Sequence, residues 1–178
     1  MLKKAVFLDR DGTLNNTIIR SGRPSPPKST HEFEILPYVP EAILQFKDLG
    51  FIPVVVTNQP DFARGITPLS QIKVFNEIIK DQLQIEHVYM CLHDDIDVCS
   101  CRKPQPGLLV NAALDLNIDT KQSIMVGDRW KDIAAGQAAG CKCFFIDNSY
   151  DEERPLEPFH RVSSLIDVIS IIRSSNDY

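Results

Sequence analysis

Short apolar runs alternate along the chain with stretches whose apolar residues recur at helical spacing. Residues 4–8 form an apolar run that predicts a buried strand. Residues 39–49 place Val39, Ile43, Leu44 and Phe46 at helical spacing, and Gly50 follows as a stop. The β-branched run 52–56 predicts a second strand. Thr67-Pro68 reads as an N-cap with proline at the first helical position, and Ile72, Phe75, Ile79 and Leu83 carry the stripe behind it. Residues 88–91 predict a third strand. Pro106 opens a helix with Leu109, Ala112 and Leu116 on one face. Residues 123–126 and 143–146 predict two more strands, separated by an alanine-rich helix over 131–139, and a last helix covers 163–173.

Strands alternating with helices predict an α/β protein: a three-layer, Rossmann-like, doubly wound parallel sheet with helices on both faces. Ligands of such sheets bind beyond the carboxyl ends of the strands. The long stretch 14–37, with Ser21-Gly22-Arg23-Pro24-Ser25-Pro26-Pro27, reads as irregular. Loops of that length inside a domain are functional or disordered.

The length of 178 residues predicts one domain over 1–178. Nineteen basic against 24 acidic residues give a net charge of −5. That balance disfavours nucleic acid or an anionic membrane as partner and leaves small anionic substrates open. The first apolar run stops at Asp9, too short for a signal-peptide core, and no later run reaches membrane-spanning length. A cytoplasmic monomer is expected. The five cysteines are an odd number, a poor disulfide framework.

Candidate chemistry begins at Asp9-Arg10-Asp11-Gly12-Thr13, where the first strand ends. Side chains two apart in an extended segment share a side, so both carboxylates can meet one ligand. Crowded carboxylates repel unless a cation or proton intervenes, and magnesium is the natural neutraliser beside phosphate. The plainer alternative is a solvated turn with capping aspartates. Thr57-Asn58-Gln59 and Gly127-Asp128-Arg129-Trp130-Lys131-Asp132 close two later strands.

Together with Lys103, these segments resemble the four-part signature of haloacid-dehalogenase-type phosphatases over nearly the whole chain. The resemblance implies Asp9 as nucleophile and Asp11 as general acid and base. It implies magnesium on the Asp9 carboxylate, the Asp11 carbonyl and Asp128. Thr57 and Lys103 would hold phosphoryl oxygens, and Asp132 would orient Lys103 or metal-bound water.

Cys91-Leu92-His93 and Cys99-Ser100-Cys101 form a C-x-H-x5-C-x-C cluster, a ligand set typical of tetrahedral, structural zinc. Buried thiols beside a surface histidine are the plainer alternative. Asp94, Asp95 and Asp97 between the ligands read as a solvated loop edge, and Cys141 and Cys143 as ordinary buried thiols. The zinc loop, 91–103, narrows the resemblance to a subclass without a large cap domain. That subclass holds D-glycero-D-manno-heptose 1,7-bisphosphate phosphatases and histidinol-phosphate phosphatases. Ala63-Arg64-Gly65 and the run 103–109 look like the heptose enzymes, whereas the short His93–Cys99 gap looks like the histidinol enzymes.

The implied activity is magnesium-dependent removal of the 7-phosphate of a heptose bisphosphate, in nucleotide-activated heptose synthesis. Histidinol phosphate is the second substrate. A nucleic-acid end phosphatase and a non-catalytic zinc or sugar-phosphate module are remoter readings. Asn58, Gln59, Arg64, Arg102 and Arg129 are the expected substrate contacts. Arg20 and Arg23 are further candidates for the second phosphate, since the 14–37 loop contacts substrate in the family.

Overall fold

Alternation within the first strand decides the architecture. In β1 (Lys4–Leu8), Ala5 and Phe7 point to one side and Val6 and Leu8 to the other, and all four are fully buried. A strand apolar on both faces needs cover on both. The structure, a computed structural model, describes residues 2–20 and 22–175. Ser21, within the long stretch after β1, lies outside them.

After β1 come a hairpin of β2 (Ile18–Arg20) and β3 (Arg23–Ser25), then α1 (Val39–Asp48), β4 (Phe51–Asn58) and α2 (Leu69–Leu83). The chain continues through β5 (His87–Cys91), α3 (Gly107–Leu116), β6 (Ile124–Gly127) and α4 (Trp130–Ala139). It closes with β7 (Lys142–Ile146), β8 (His160–Val162) and α5 (Leu165–Ser174). The main sheet has the order β5-β4-β1-β6-β7-β8, every pairing parallel.

Helices α1, α2 and α5 cover the Val6/Leu8 face through residues such as Phe46, Ile79 and Ile169. Helices α3 and α4 cover the Ala5/Phe7 face through Leu109, Ala112 and Ile133. Each such leucine, isoleucine or phenylalanine side chain stabilises the fold by about 1.5–3 kcal/mol relative to exposure. From β1 the chain builds one half of the sheet (β4, β5), then crosses back to build the other (β6 to β8). That reversal opens a crevice beyond the carboxyl ends of β1, β4 and β6. Among the described residues, no helix is long and apolar enough to cross a membrane.

The expected strands and helices are present, with shifts of one or two residues at their ends. The described residues of the stretch 14–37 hold more regular structure than an irregular loop. β2 and β3 pair antiparallel, with Ile18 opposite Ser25. Leu36 N–H returns to Leu14 O at 3.0 Å, and Arg20 ties the arm internally to Glu32 (2.6 Å) and Pro26 O (2.8 Å). Three-residue strands, one containing Pro24, leave no periodic trace. Helix α2 also starts differently. Pro68 holds the extended cap position and makes no side-chain cap. Thr67 is instead buried, its N–H bonded to Asp61 O at 3.1 Å. Strand β8, mostly exposed at the sheet edge, was not foreseen because His160 and Arg161 carry no apolar alternation.

Candidate active site

Three strand ends deliver the polar residues. Asp9 follows β1, and its N–H bonds to Val126 O on β6 at 3.0 Å. Thr57 and Asn58 are the last residues of β4, and Asp128 follows β6. They meet at the floor of a cleft of about 370 Å³, whose lining includes Asp9, Asp11, Thr57, Lys103, Asp128 and Asp132.

Lys103 is the single buried ammonium on that floor, 2% exposed. Its Nζ donates to Asp9 Oδ1 (2.6 Å) and Val56 O (2.7 Å), and pairs with Asp132 Oδ1 at 2.6 Å. Burial by itself would discharge this amine, but Asp132 and Asp9 outweigh burial and raise its pKa. Asp132 is thus placed against Lys103, one of its two expected partners. Its other oxygen accepts the Arg129 N–H at the start of α4, 3.0 Å away.

Asp9, Asp128 and Asp132 can bring one oxygen each within 4.8 Å of one another. Burial pushes Asp9 up to about 7, with Lys103 opposing and Asp132 adding to the rise. Asp128 is raised well above the usual carboxylate range, first by burial and then by the charges of Asp9 and Asp132. Its Oδ1 is buried without a hydrogen-bond partner. Three buried carboxylates face one ammonium, and an orphaned oxygen points to what completes the balance. Oxygen donors of this hardness fit a magnesium ion.

Asp11 does not belong to that cluster. Its carboxylate accepts from Arg10 (3.0 Å), Asn15 (3.0 Å) and Gln59 (2.9 Å). Arg10 is wholly buried, bonds Asn76 of α2 at 2.9 Å and lies over the Phe75 ring. The Asp9-Arg10-Asp11 motif by itself assigns Arg10 no role. The available signal was a cation set between two aspartates at the end of an apolar strand. Gly12 then turns away with φ +97°, and a Cβ there would lie 1.9 Å from Asp128 Oδ2. Gly12→Ala should cost about 1–3 kcal/mol from backbone strain alone, before that overlap is counted. Urea unfolding of the variant measures the loss.

Asn58 and Gln59, expected to touch substrate, are engaged within the protein. Asn58 pairs reciprocally with the Lys103 backbone, donating to its carbonyl (3.0 Å) and accepting its N–H (3.1 Å). Gln59 Nε2 reaches both Asp11 and Thr57 Oγ1, each at 2.9 Å. Both hold neighbouring polar groups of the cleft in place.

The expected cationic contacts line the outer cleft but already hold carboxylates. Arg64 forks onto Asp94 (2.8 and 2.6 Å), Arg102 takes Asp95 (2.7 Å), and Arg129 takes Glu152 (3.0 Å through Nε). The Arg64 guanidinium, helped by the Asp95 N–H, holds Asp94 at about 2. The acidic run in the 91–103 loop stays outside the metal cluster and largely solvated, and it also supplies counter-ions: Asp94 and Asp95 hold Arg64 and Arg102, and Asp97 accepts the Asp94 N–H at 2.7 Å. Asp95 also serves Lys131 at 3.6 Å, so one carboxylate answers two cations. Arg23 reaches the cleft from β3, while Arg20 stays within its own arm.

The second cluster lies behind this floor. Cys91, His93, Cys99 and Cys101 offer three sulfurs and one nitrogen within 4.8 Å. Cys101 Sγ lies 3.1 Å from Cys91 Sγ, Cys91 Sγ 3.7 Å from Cys99 Sγ, and His93 Nδ1 3.4 Å from Cys101 Sγ. Tetrahedral zinc, with bonds of roughly 2.0–2.3 Å, asks for edges of about 3.5–3.8 Å. The donor set and its spacing fit that ion with slight contraction. Cys91 O accepts the Gln59 N–H at 2.7 Å, and Cys101 precedes Arg102-Lys103 directly, so the cluster is wired to the floor from two sides. Cys141 and Cys143 are buried elsewhere, burial pushing each thiol up to about 12.

Known proteins resemble this chain in sequence and fold. The family described as HAD-hydrolase-like matches residues 100–168. The D-glycero-beta-D-manno-heptose-1,7-bisphosphate 7-phosphatase of Haemophilus ducreyi is 38% identical over 154 residues, 80% of this chain and 81% of that protein. The corresponding alpha-anomer enzyme of Photorhabdus laumondii is 31% identical over 170 residues, 86% of this chain and 88% of that one. In fold, the structure matches D,D-heptose 1,7-bisphosphate phosphatase from B. bronchiseptica, complexed with magnesium and phosphate. The TM-score is 0.81 at 24% identity, over 97% of this chain and 99% of that one. With relatives this similar over four-fifths of both chains, the chain belongs to the HAD-like phosphatases, in the branch of the heptose-1,7-bisphosphate 7-phosphatases.

Proposed function

We propose that this phosphatase removes the 7-phosphate of a D-glycero-D-manno-heptose 1,7-bisphosphate in the cytoplasm, with magnesium at the cleft floor and structural zinc on the cysteine–histidine cluster. The observation that carries this reading is the floor itself: Asp9 held by Lys103, Asp128 with one oxygen unpartnered, and Asp11 fixed apart from both. Magnesium on Asp9, Asp128 and the Asp11 carbonyl would offset the repulsion between carboxylates and phosphate.

In this mechanism an Asp9 oxygen attacks phosphorus as the bond to the sugar oxygen breaks, leaving an aspartyl-phosphate. Asp11 gives that sugar oxygen its proton. It then takes a proton from the water that attacks the aspartyl-phosphate and releases inorganic phosphate. Lys103 and Thr57 hold phosphoryl oxygens where charge develops. Asn58 keeps the Lys103 backbone at the end of β4, and Gln59 holds Asp11 and Thr57 in mutual register.

The substrate choice rests on the cleft rim. Arg23, Arg64, Arg102, Arg129 and Lys131 line it, and Asp95 alone serves two of them. With Asp95 shared between Arg102 and Lys131, this rim offers cationic donors to a second phosphate, which histidinol phosphate lacks. The expected result is a kcat/KM at least about tenfold higher for the bisphosphate than for histidinol phosphate, measured by phosphate release. Arg102→Ala should raise KM for the bisphosphate by about tenfold more than for p-nitrophenyl phosphate, as one charge-assisted contact of ~1.5–3 kcal/mol implies. Preference for histidinol phosphate would sink the heptose reading; equal effects on both substrates would move the second phosphate away from Arg102.

A further inference from the structure

Arg10 is a cation that no step of the mechanism above uses. Continuing the alternation of β1 puts it on the Val6/Leu8 side, the face that α2 covers, while Asp9 and Asp11 face the cleft. Its side chain is wholly buried. A guanidinium in that position needs a partner for its charge and for its N–H groups. Asp11 supplies the charge: Nε and Nη2 each donate to Oδ1 at 3.3 Å, and Nη2 donates to Oδ2 at 3.0 Å. Asn76 of α2 holds the other end, accepting from Nη1 at 2.9 Å. Asn76 is itself buried, and its Nδ2 donates to Met90 Sδ of β5 at 3.6 Å. The ring beneath the guanidinium is fixed as well. Arg10 Cζ lies 5.6 Å from the Phe75 centroid, and Phe75 stacks on Phe33 of the 14–37 stretch, with 4.8 Å between centroids and 10° between planes.

Two further donors close on the same carboxylate. Asn15 Nδ2 reaches Oδ1 at 3.0 Å, and Gln59 Nε2 reaches Oδ2 at 2.9 Å. Among the described residues, Arg10 is the donor that reaches both oxygens, and it is the one anchored to a helix. A planar fork on a carboxylate fixes its plane as well as its place. Desolvation cancels much of the attraction in a buried ion pair, so such a pair adds little net stability. What this one supplies is orientation.

We infer that Arg10 is a positioning residue for the two proton transfers. Anchored to Asn76 and seated on Phe75, it holds the Asp11 carboxylate at the angle from which a proton passes to the leaving oxygen, and later from the attacking water. This rests on the proposed role of Asp11 as general acid and base. The dependence on geometry is steep: a misplacement of about 1 Å costs on the order of 10²-fold.

The test compares two substrates that differ in the leaving group, phenyl phosphate and 2,4-dinitrophenyl phosphate, on the full chain with zinc retained and magnesium saturating. Phenolate leaves badly and needs a proton; dinitrophenolate leaves without one. The value of kcat/KM reports formation of the aspartyl-phosphate, and the steady rate after a burst reports its hydrolysis. Arg10→Met keeps the length and removes every donor. It should lose about 10²-fold in kcat/KM on phenyl phosphate and less than about threefold on 2,4-dinitrophenyl phosphate. The dinitrophenolate burst should keep its rate while the steady rate behind it falls by about 10²-fold, because the attacking water has lost its aligned base. Asn76 touches neither Asp11 nor the cleft lining, so Asn76→Leu reaches Asp11 through Arg10. It should show the same split at about tenfold, and the double variant should be no worse than Arg10→Met. A merely structural arginine would lower Tm and cut both substrates by equal factors. Equal losses on both substrates, or wild-type constants in both variants, overturn the inference. Should Arg10→Met fail to fold, Asn76→Leu decides by the same split. Asp11→Asn tests the underlying mechanism separately. No leaving-group split in Asp11→Asn removes the role of Asp11 and the inference with it; a split there and none in the Arg10 and Asn76 variants rejects Arg10 alone.

Discussion

Asp9→Asn is expected to lose more than about 10⁴-fold in turnover while keeping its fold. An amide nitrogen or oxygen in place of the carboxylate cannot form the aspartyl-phosphate. Asparagine has the same shape, so the contacts at the end of β1 survive. The electrostatics favour the variant's stability. Burial lifts the Asp9 carboxyl to about 7, the mark of a charge the site holds at a cost. Removing it leaves Lys103 paired to Asp132 at 2.6 Å, a satisfied buried ion pair. The thermal midpoint without magnesium should therefore equal or exceed that of wild type. Phosphate release by Asp9→Asn at a rate near wild type would eliminate the covalent mechanism. A collapse in Tm would mean that Asp9 is needed chiefly to balance Lys103.

Cys101→Ser should remove the zinc and a large part of the protein's stability. Elemental analysis of protein purified without chelator should find about one zinc per wild-type chain and near none in the variant. Zinc present at a thousandfold its Kd would contribute about 4 kcal/mol. For a chain of this size that corresponds to roughly 8–16 °C in Tm. Activity should fall with it. Cys101 immediately precedes Arg102 and Lys103, and the Gly107 N–H that begins α3 bonds Ser100 O at 3.1 Å. A Cβ on Gly107 would lie 2.3 Å from that same oxygen, so this helix start and the Cys-Ser-Cys turn are pressed together. Loosening the turn loosens the lysine that grips Asp9. Wild-type protein without zinc would discard the metal assignment. A variant that loses zinc and keeps full activity would reduce the cluster to a passive staple.

Much of this molecule could be read before any coordinates. The runs around Val6, Val55 and Val126 are apolar on both faces, and only a covered parallel sheet satisfies them. Helical stripes between them required crossovers, and crossovers direct every functional strand end to one edge. Asp9, Thr57 and Asp128 were legible as a site because each directly follows or closes such a strand. Cys91, His93, Cys99 and Cys101 were legible because all four lie within one short stretch of sequence, and a short loop suffices to gather them.

What remained hidden depends on partners distant along the chain. Nothing near Arg10 announces that Asn76 and Phe75 of α2 will enclose it, or that it will hold Asp11. Asn58 and Gln59 looked available to substrate until the tertiary structure brought Lys103 and Asp11 against them. Asp94 and Asp95 carried no sign of an ion-pair role until the fold set Arg64 and Arg102 within reach, and Asp95 stays largely exposed beside its partner. Tyr150 lies 133 residues from Thr17, and only the sheet order, with β7 beside β6 and β6 beside β1, closes that distance. Local sequence determined which elements form and which groups carry the chemistry, because periodicity and ligand spacing are short-range properties. The tertiary structure alone decided which of those groups meet substrate and which hold one another, because hydrogen-bond and ion-pair partners are chosen by proximity in space.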